Sequence, residues 1–417
     1  MEIKRDRYLK KLIDRKENGL VKVITGIRRC GKSYLLFHLY KKELLDQGVA
    51  ADHIIEMALD DIENIQYRDA LTLYKYIKES IKDEKMHYVF LDEIQMLQSS
   101  FADLINGLMR IENLDIYVTG SNSRFLSSDI LTEFRGRGDE VRVFPLSFAE
   151  VNTVYDSVTE AWKDYYTYGG LPLVLSRKSD ELKSEYLISL FDNIYLKDIK
   201  ERKSIKADEE LGILVNMIAS ATGSLTNPLK LSNAFKSMSQ RTLSDKTIKT
   251  YLDYLADAFM IEKAVRYDVK GKKYIDTPAK YYFEDVGLRN ARLNFRQQEE
   301  NHIMENIIYT ELRSRGYRVD VGVVEIVEAD ADGKNVRKQL EVDFIANKGN
   351  RKYYIQSAYE MPNAEKVEQE KKSLNKLNDS FKKFVVVKED MKAQVDENGI
   401  IMMGIYEFLL DENSLDY

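Results

Sequence analysis

A chain of 417 residues is too long for one hydrophobic core, and about two to four domains are expected of it. Its 44% hydrophobic and 32% charged residues make a globular balance, and no apolar run is long enough to cross a bilayer. A net charge of -6 excludes a surface that attracts nucleic acid as a whole, and the lone Cys30 excludes an internal disulfide. The charged opening segment lacks the apolar stretch of a secretion signal, so a cytoplasmic protein is expected.

Up to about residue 150, short apolar runs alternate with helical patterns, as in parallel α/β folds. Strands are expected over residues 21–25, 53–58, 88–91, 115–119 and 140–144, with Pro145 closing the last. Directly after the first, Gly26-Ile27-Arg28-Arg29-Cys30-Gly31-Lys32-Ser33 matches the phosphate-loop pattern G-x-x-x-x-G-K-[ST] in full. Glycines let backbone N–H groups converge on phosphates, and the following helix adds its positive end. ATP with Mg²⁺ is therefore expected here, bound by Gly26, Arg28, Arg29, Cys30, Gly31 and Tyr34. Lys32 is expected to reach the β- and γ-phosphates, and the Ser33 hydroxyl to hold the metal ion. Oxidation of Cys30 is the lesser reading of that residue, because no resolving cysteine exists.

The third strand runs into Asp92 and Glu93, at the carboxyl edge of the expected sheet. Asp92 is expected at Mg²⁺ and Glu93 as general base toward the attacking water. The fourth strand ends in Ser121-Asn122-Ser123, where Asn122 or Ser121 would sense phosphate. Arg135 and Arg137 precede the fifth strand, and either suits an arginine finger acting in a neighbouring subunit.

Residues 147 to about 205 carry Tyr-rich helical patterns interrupted by Gly169-Gly170-Leu171-Pro172. Several short helices follow, one with the stripe Ile248, Tyr251, Leu252, Leu255, Phe259, and then a basic hairpin. From about His302 the pattern reads helix, strand, strand, helix, strand, helix, with a hairpin turn at Asn347-Lys348-Gly349-Asn350.

Taken together, the phosphate loop, Phe90-Leu91-Asp92-Glu93, Val118-Thr119-Gly120-Ser121-Asn122-Ser123, Phe144-Pro145-Leu146-Ser147-Phe148-Ala149-Glu150 and Gly169-Gly170-Leu171-Pro172 resemble a known family. It is that of prokaryotic predicted ATPases of the AAA+ superfamily, whose C-terminal domain of uncharacterised function is related to restriction endonucleases. The resemblance covers nearly the whole chain and is most specific in the ATPase motifs. It implies an α/β fold: a P-loop NTPase parallel sheet over 1–150, a helical lid over 151–205, a winged helix-turn-helix over 206–295, and a small PD-(D/E)XK-like domain over 296–417. Gly170 and Pro172 would belong to the lid and touch the adenine. In the winged helix, Ser244 or Asp245 would cap a helix presenting Lys246, Lys249 and Thr250, and Lys270, Lys272 and Lys273 would form a basic wing. A protein-binding winged helix stays open as the alternative.

Glu305, Asp343 and the strand around Gln356 resemble a nuclease core in which Gln356 replaces the second acid and Ala358 the lysine. Glu341 shares a strand face with Asp343, but no lysine is evident, so little or no cleavage is expected. Two functions are weighed: an Mg²⁺-dependent ATPase engaging DNA through its winged helix, and a slow nucleotide switch read by a protein partner. ATP, DNA, a protein partner and a nucleotide-dependent oligomer are the expected associations, with no membrane.

Overall fold

Five apolar runs become five parallel strands: β1 (Val21–Thr25), β2 (Ile54–Ala58), β3 (His87–Asp92), β4 (Leu114–Thr119) and β5 (Gly138–Arg142). This is a computed structural model, and it describes residues 2–98, 100–121, 137–203, 205, 208–239, 242–296, 299–329 and 334–417. The strand order is β2-β3-β4-β1-β5, so β4 lies between β1 and β3 and its tip stands between their carboxyl ends. Every residue of β1 and β3 is buried, as expected of a parallel sheet covered on both faces. One face packs against Leu73 and Ile77 of the helix Ala70–Glu79 and Leu104, Ile105 and Leu108 of the helix Phe101–Leu108. Burial of β1 includes Lys22, whose ammonium pairs with Asp115 of β4 while Tyr117 donates to the same carboxylate at 2.7 Å. The fifth strand begins two residues earlier than expected, yet Val143 still donates to Thr25 at 2.8 Å before Pro145 ends the ladder.

These elements belong to one compact unit, Met1–Pro145 with Asp257–Phe259; Leu146–Ala256 with Met260–Tyr417 form a second. The second opens with helices, among them Phe148–Asn152, Val158–Tyr168, Asp180–Leu190 and Lys197–Lys203. Helices Asp208–Ser220, Pro228–Ser239 and Asp245–Asp257 follow, then the antiparallel hairpin β6 (Ile261–Asp268) and β7 (Lys273–Phe283). Thr226 bridges Ala279 of β7 ahead of the second of these helices. The helical stripe is buried as its spacing requires as far as Leu255, with Ile248 and Leu255 at 0% exposure, but the helix ends at Asp257 and Phe259, φ 56°, lies past it rather than on it.

The hairpin is continuous with the strands of the C-terminal segment. Arg266–Asp268 of β6 pair in parallel with Val321–Val323 of β8 (Arg318–Ala329), and β9 (Asn335–Lys348), β10 (Arg351–Ala358), β11 (Lys382–Val387), β12 (Gln394–Val395) and β13 (Ile400–Gly404) extend the sheet. Its order is β12-β13-β11-β10-β9-β8-β6-β7, eight strands crossing residue 296. Three antiparallel strands precede the helix Ala364–Asn375 where two were expected, and three strands come after it where one was. The turn at Gly349, φ 60°, joins β9 to β10. Ile303, Met304, Ile308 and Leu312 of the helix Glu300–Ser314 pack on one sheet face against Val321, Phe344, Ile355 and Phe384.

Candidate nucleotide site

The loop after β1 turns by left-handed residues: Gly26 has φ 144°, Arg29 φ 63° and Gly31 φ 99°. A Cβ on Gly26 would lie 2.1 Å from the Val143 carbonyl oxygen, so this position admits glycine alone. Leu35 donates to Gly31 at 2.9 Å, which starts the helical run 32–46 at the loop. The buried Lys32 ammonium donates to the carbonyls of Gly26 and Ile27, each at 3.0 Å, and so lies across the loop's own concavity. Arg28 is half-buried, while Arg29 and Tyr34 are exposed. The Cys30 thiol is fully buried and donates to Val143 at 3.4 Å, so it faces the core.

Sequence reasoning passed over the residues that brace this loop. Arg5, just ahead of the helix Asp6–Ile13, donates to the Cys30 carbonyl at 3.0 Å and the Phe144 carbonyl at 2.7 Å. Tyr8 accepts from the Phe144 N–H at 3.1 Å. Arg5 thus ties the loop to the chain just past β5, and Tyr8 holds that same stretch, from a segment that carries no motif.

Across β4, Asp92 ends β3 with 4% exposure, and the Ser33 and Thr119 hydroxyls both hydrogen-bond its carboxylate. Burial raises its pKa above the ordinary carboxylate value, and the neighbouring Glu93 and Asp60 push the same way against those hydrogen bonds. Glu93 adopts φ 50°, its N–H donating to Thr119 Oγ1 at 3.1 Å. The Thr119 hydroxyl thus links both acids. The Gln95 amide donates to the Glu93 carboxylate and lies 3.5 Å from the Ser121 hydroxyl. Ser33 and Asp92 together offer hard oxygen donors beside a buried negative charge, a set that fits Mg²⁺. Arg137 is exposed at the start of β5; Asn122, Ser123 and Arg135 lie outside the described residues.

Gly170 and Pro172 lie in the second unit. The Gly170 N–H donates to Asp285 at 2.7 Å and its carbonyl accepts from Leu146 at 2.7 Å; Pro172 starts a short helical turn. A Cβ on Gly170 would lie 2.1 Å from the Leu146 carbonyl oxygen. Burial pushes the Asp285 pKa up to about 6 against three backbone N–H donors. Further along, Ser244 rather than Asp245 caps the helix Asp245–Asp257, accepting from Thr247 at 3.1 Å. Lys246, Lys249, Thr250, Lys270, Lys272 and Lys273 are exposed, and Lys270 also donates to the Glu325 carbonyl at 3.0 Å.

The expected absence of a lysine beside Glu305 and Asp343 is corrected. Lys280 of β7 reaches Glu341 at 2.7 Å, Glu305 at 2.8 Å and Asp343 at 3.5 Å. The search along β10 missed it because it arrives from a strand upstream of residue 296. A second group, His53, Asp83 and His87, sits at the opposite strand ends from Asp92. Its ring nitrogens are all engaged: His53 with Asp52 and Asp83 at 3.1 and 3.0 Å, His87 with the Lys82 N–H and Lys85 carbonyl at 3.0 and 2.8 Å.

The parallel sheet and the phosphate loop, together with a match of residues 18–152 to the family described as AAA domain, define an ATPase-type P-loop protein of the AAA+ superfamily. Members of that superfamily bind nucleotide, typically with Mg²⁺. Residues 159–299 match a domain of unknown function (DUF8612). An uncharacterised protein of Haemophilus influenzae is 34% identical over 415 residues, 98% of each chain, and the chain belongs to the same family as that protein. An uncharacterised protein of Methanocaldococcus jannaschii, MJ1544, is 30% identical over 360 residues, covering 82% of this chain and 75% of its own. Among solved structures, Orc1 of Aeropyrum pernix in complex with DNA aligns with a TM-score of 0.33 and 12% identity, over 70% of this chain and 92% of its own. Cdc6p of Pyrobaculum aerophilum aligns with a TM-score of 0.29 and 11% identity, over 73% and 94%.

Proposed function

We propose that the protein binds ATP with Mg²⁺ and hydrolyses it at the end of the first sheet, coupled to engagement of DNA by the second unit. The observation that carries the hydrolytic part is the hydrogen-bonded set Ser33, Asp92, Thr119 and Glu93 beside the Lys32 loop. Lys32 exchanges the carbonyls of Gly26 and Ile27 for the β- and γ-phosphates, while the loop N–H groups between Gly26 and Ser33 cradle them. Ser33 and Asp92 hold Mg²⁺, which when bound offsets phosphate charge. Glu93 takes the proton of a water whose oxygen attacks the γ-phosphorus; the bond to the β,γ-bridging oxygen breaks and the electron pair leaves on ADP. Asn122 or Ser121 senses the γ-phosphate, Arg135 or Arg137 of a neighbouring copy stabilises its developing charge, and Gly170 and Pro172 contact the adenine.

Three helices, the Thr226–Ala279 bridge and the β6–β7 hairpin support a winged-helix reading over 206–295. Exposed Lys246, Lys249, Lys272 and Lys273 support phosphate contacts there. The helical stretch 151–205 is read as the lid and 296–417 as a nuclease-like domain with little or no cleavage. One observation favours a second reading, the slow switch acting on a protein partner: the Gln95 amide already occupies the Glu93 carboxylate and restrains the base. Mg²⁺-dependent ATP hydrolysis by wild type and Glu93→Gln, with and without duplex DNA, decides between them. Hydrolysis that rises with DNA and vanishes in the variant supports the first reading; slow, DNA-indifferent hydrolysis with tight ATP binding sinks it in favour of the switch.

A further inference from the structure

A nuclease-like acidic site implies a divalent metal ion between Glu305, Glu341 and Asp343, and the residues present do not fit one. We propose that the Lys280 ammonium is the permanent cation of this site, built into the chain in place of a metal ion.

An ammonium has three N–H donors, and three carboxylates stand around this one at 2.7, 2.8 and 3.5 Å. Two of the three carboxylates are also fixed by groups other than the lysine. Tyr282 donates to Glu305 at 2.6 Å, and the Ser357 N–H donates to Asp343 at 2.9 Å. Glu305 and Asp343 are therefore held at this point from a helix and from β9, while the cation enters on β7. The side chains of Lys280, Glu305 and Asp343 are 4%, 11% and 10% exposed, and Glu341 at 35% forms the solvent edge. A metal ion would have to displace a buried ammonium from partners that already satisfy it, and the expelled lysine would stay close to the ion that replaced it. Without the lysine, three acids would share a buried point with no positive charge, the condition that draws in a divalent cation.

The test removes the lysine and supplies the metal. Full-length wild type, Lys280→Ala and Lys280→Gln are melted without nucleotide, with and without Ca²⁺, and titrated with Tb³⁺ in an Asp92→Asn background that silences the nucleotide site. We expect no Ca²⁺ response in wild type. Lys280→Ala should melt roughly 5–10 °C lower, recover with Ca²⁺, and bind Tb³⁺ in a manner abolished by adding Asp343→Asn. Folding of Lys280→Ala only when Ca²⁺ is present supports the proposal equally. A wild-type Tb³⁺ signal lost on Asp343→Asn overturns it. So does a folded Lys280→Ala, or a folded Lys280→Gln where the alanine variant never folds, that takes up neither ion.

Discussion

Asp92 and Glu93 are neighbours in sequence with different surroundings, the first buried beneath two hydroxyls and the second half-buried on a left-handed backbone with the Gln95 amide on its carboxylate. The roles proposed for them differ accordingly, and the base and the hydroxyl that meets both residues can be tested apart. Glu93→Gln should keep ATP binding and lower turnover by roughly 10²–10⁴-fold, read by phosphate release beside a nucleotide-binding titration. Thr119→Val removes the hydroxyl linking both acids and should lower turnover roughly tenfold, with recovery in Thr119→Ser. Asp285 makes a pH prediction of opposite sense to an ordinary salt-bridged acid. Its folded pKa of about 6 lies above the unfolded value of about 3.9, so the folded state holds more protons between those limits. Its contribution is then present at low pH and is lost as pH rises from about 4 to about 6. Urea unfolding of wild type and Asp285→Asn across that window should show wild type losing ground to the variant by about 3 kcal/mol as pH rises. An unchanged difference would refute the assignment.

At the scale of elements, the strands of the first sheet were legible because β1 and β3 are buried on both faces and read as unbroken apolar runs. The phosphate loop was legible because its glycines answer to φ values that other residues rarely take. Arg5 and Tyr8 were not, since nothing local marks an arginine that will meet carbonyls 25 and 139 positions away. Arg5→Ala should weaken ATP binding roughly tenfold while leaving the sheet folded, measured with a fluorescent nucleotide and far-UV circular dichroism. The hairpin's lysines divide in a way that composition hides. All three are exposed, but Lys270 is held by the Glu325 carbonyl, whereas Lys272 and Lys273 stand beyond it in the turn and strand. If the hairpin contacts DNA, changing Lys272 and Lys273 together should lower the affinity and flatten its salt dependence by about two counterions, and Lys270→Ala should do less.

At the scale of the molecule, the alternation of strand and helix indicated a parallel sheet succeeded by other modules, but not where the second sheet starts. Strand pairing between Arg266–Asp268 and Val321–Val323 joins segments some fifty residues apart, and no local pattern announces such a partner. A still longer separation in sequence sets Lys280 apart from the strand that ends at Ala358. Assembly is tested at this scale too: if Arg137 acts between copies, an ATP analogue should raise the mass in solution, and a monomer in both states would remove that role.

The sheet's continuity across residue 296 also limits how the gene can be cut. A fragment of 296–417 would expose the edge of β8 that pairs β6 and retain Glu305, Glu341 and Asp343 without Lys280. It would begin life as an unpaired edge beside a knot of like charges, a combination that favours aggregation over folding. A productive truncation must therefore start ahead of β6, so that one expressed piece carries both the strand and the lysine.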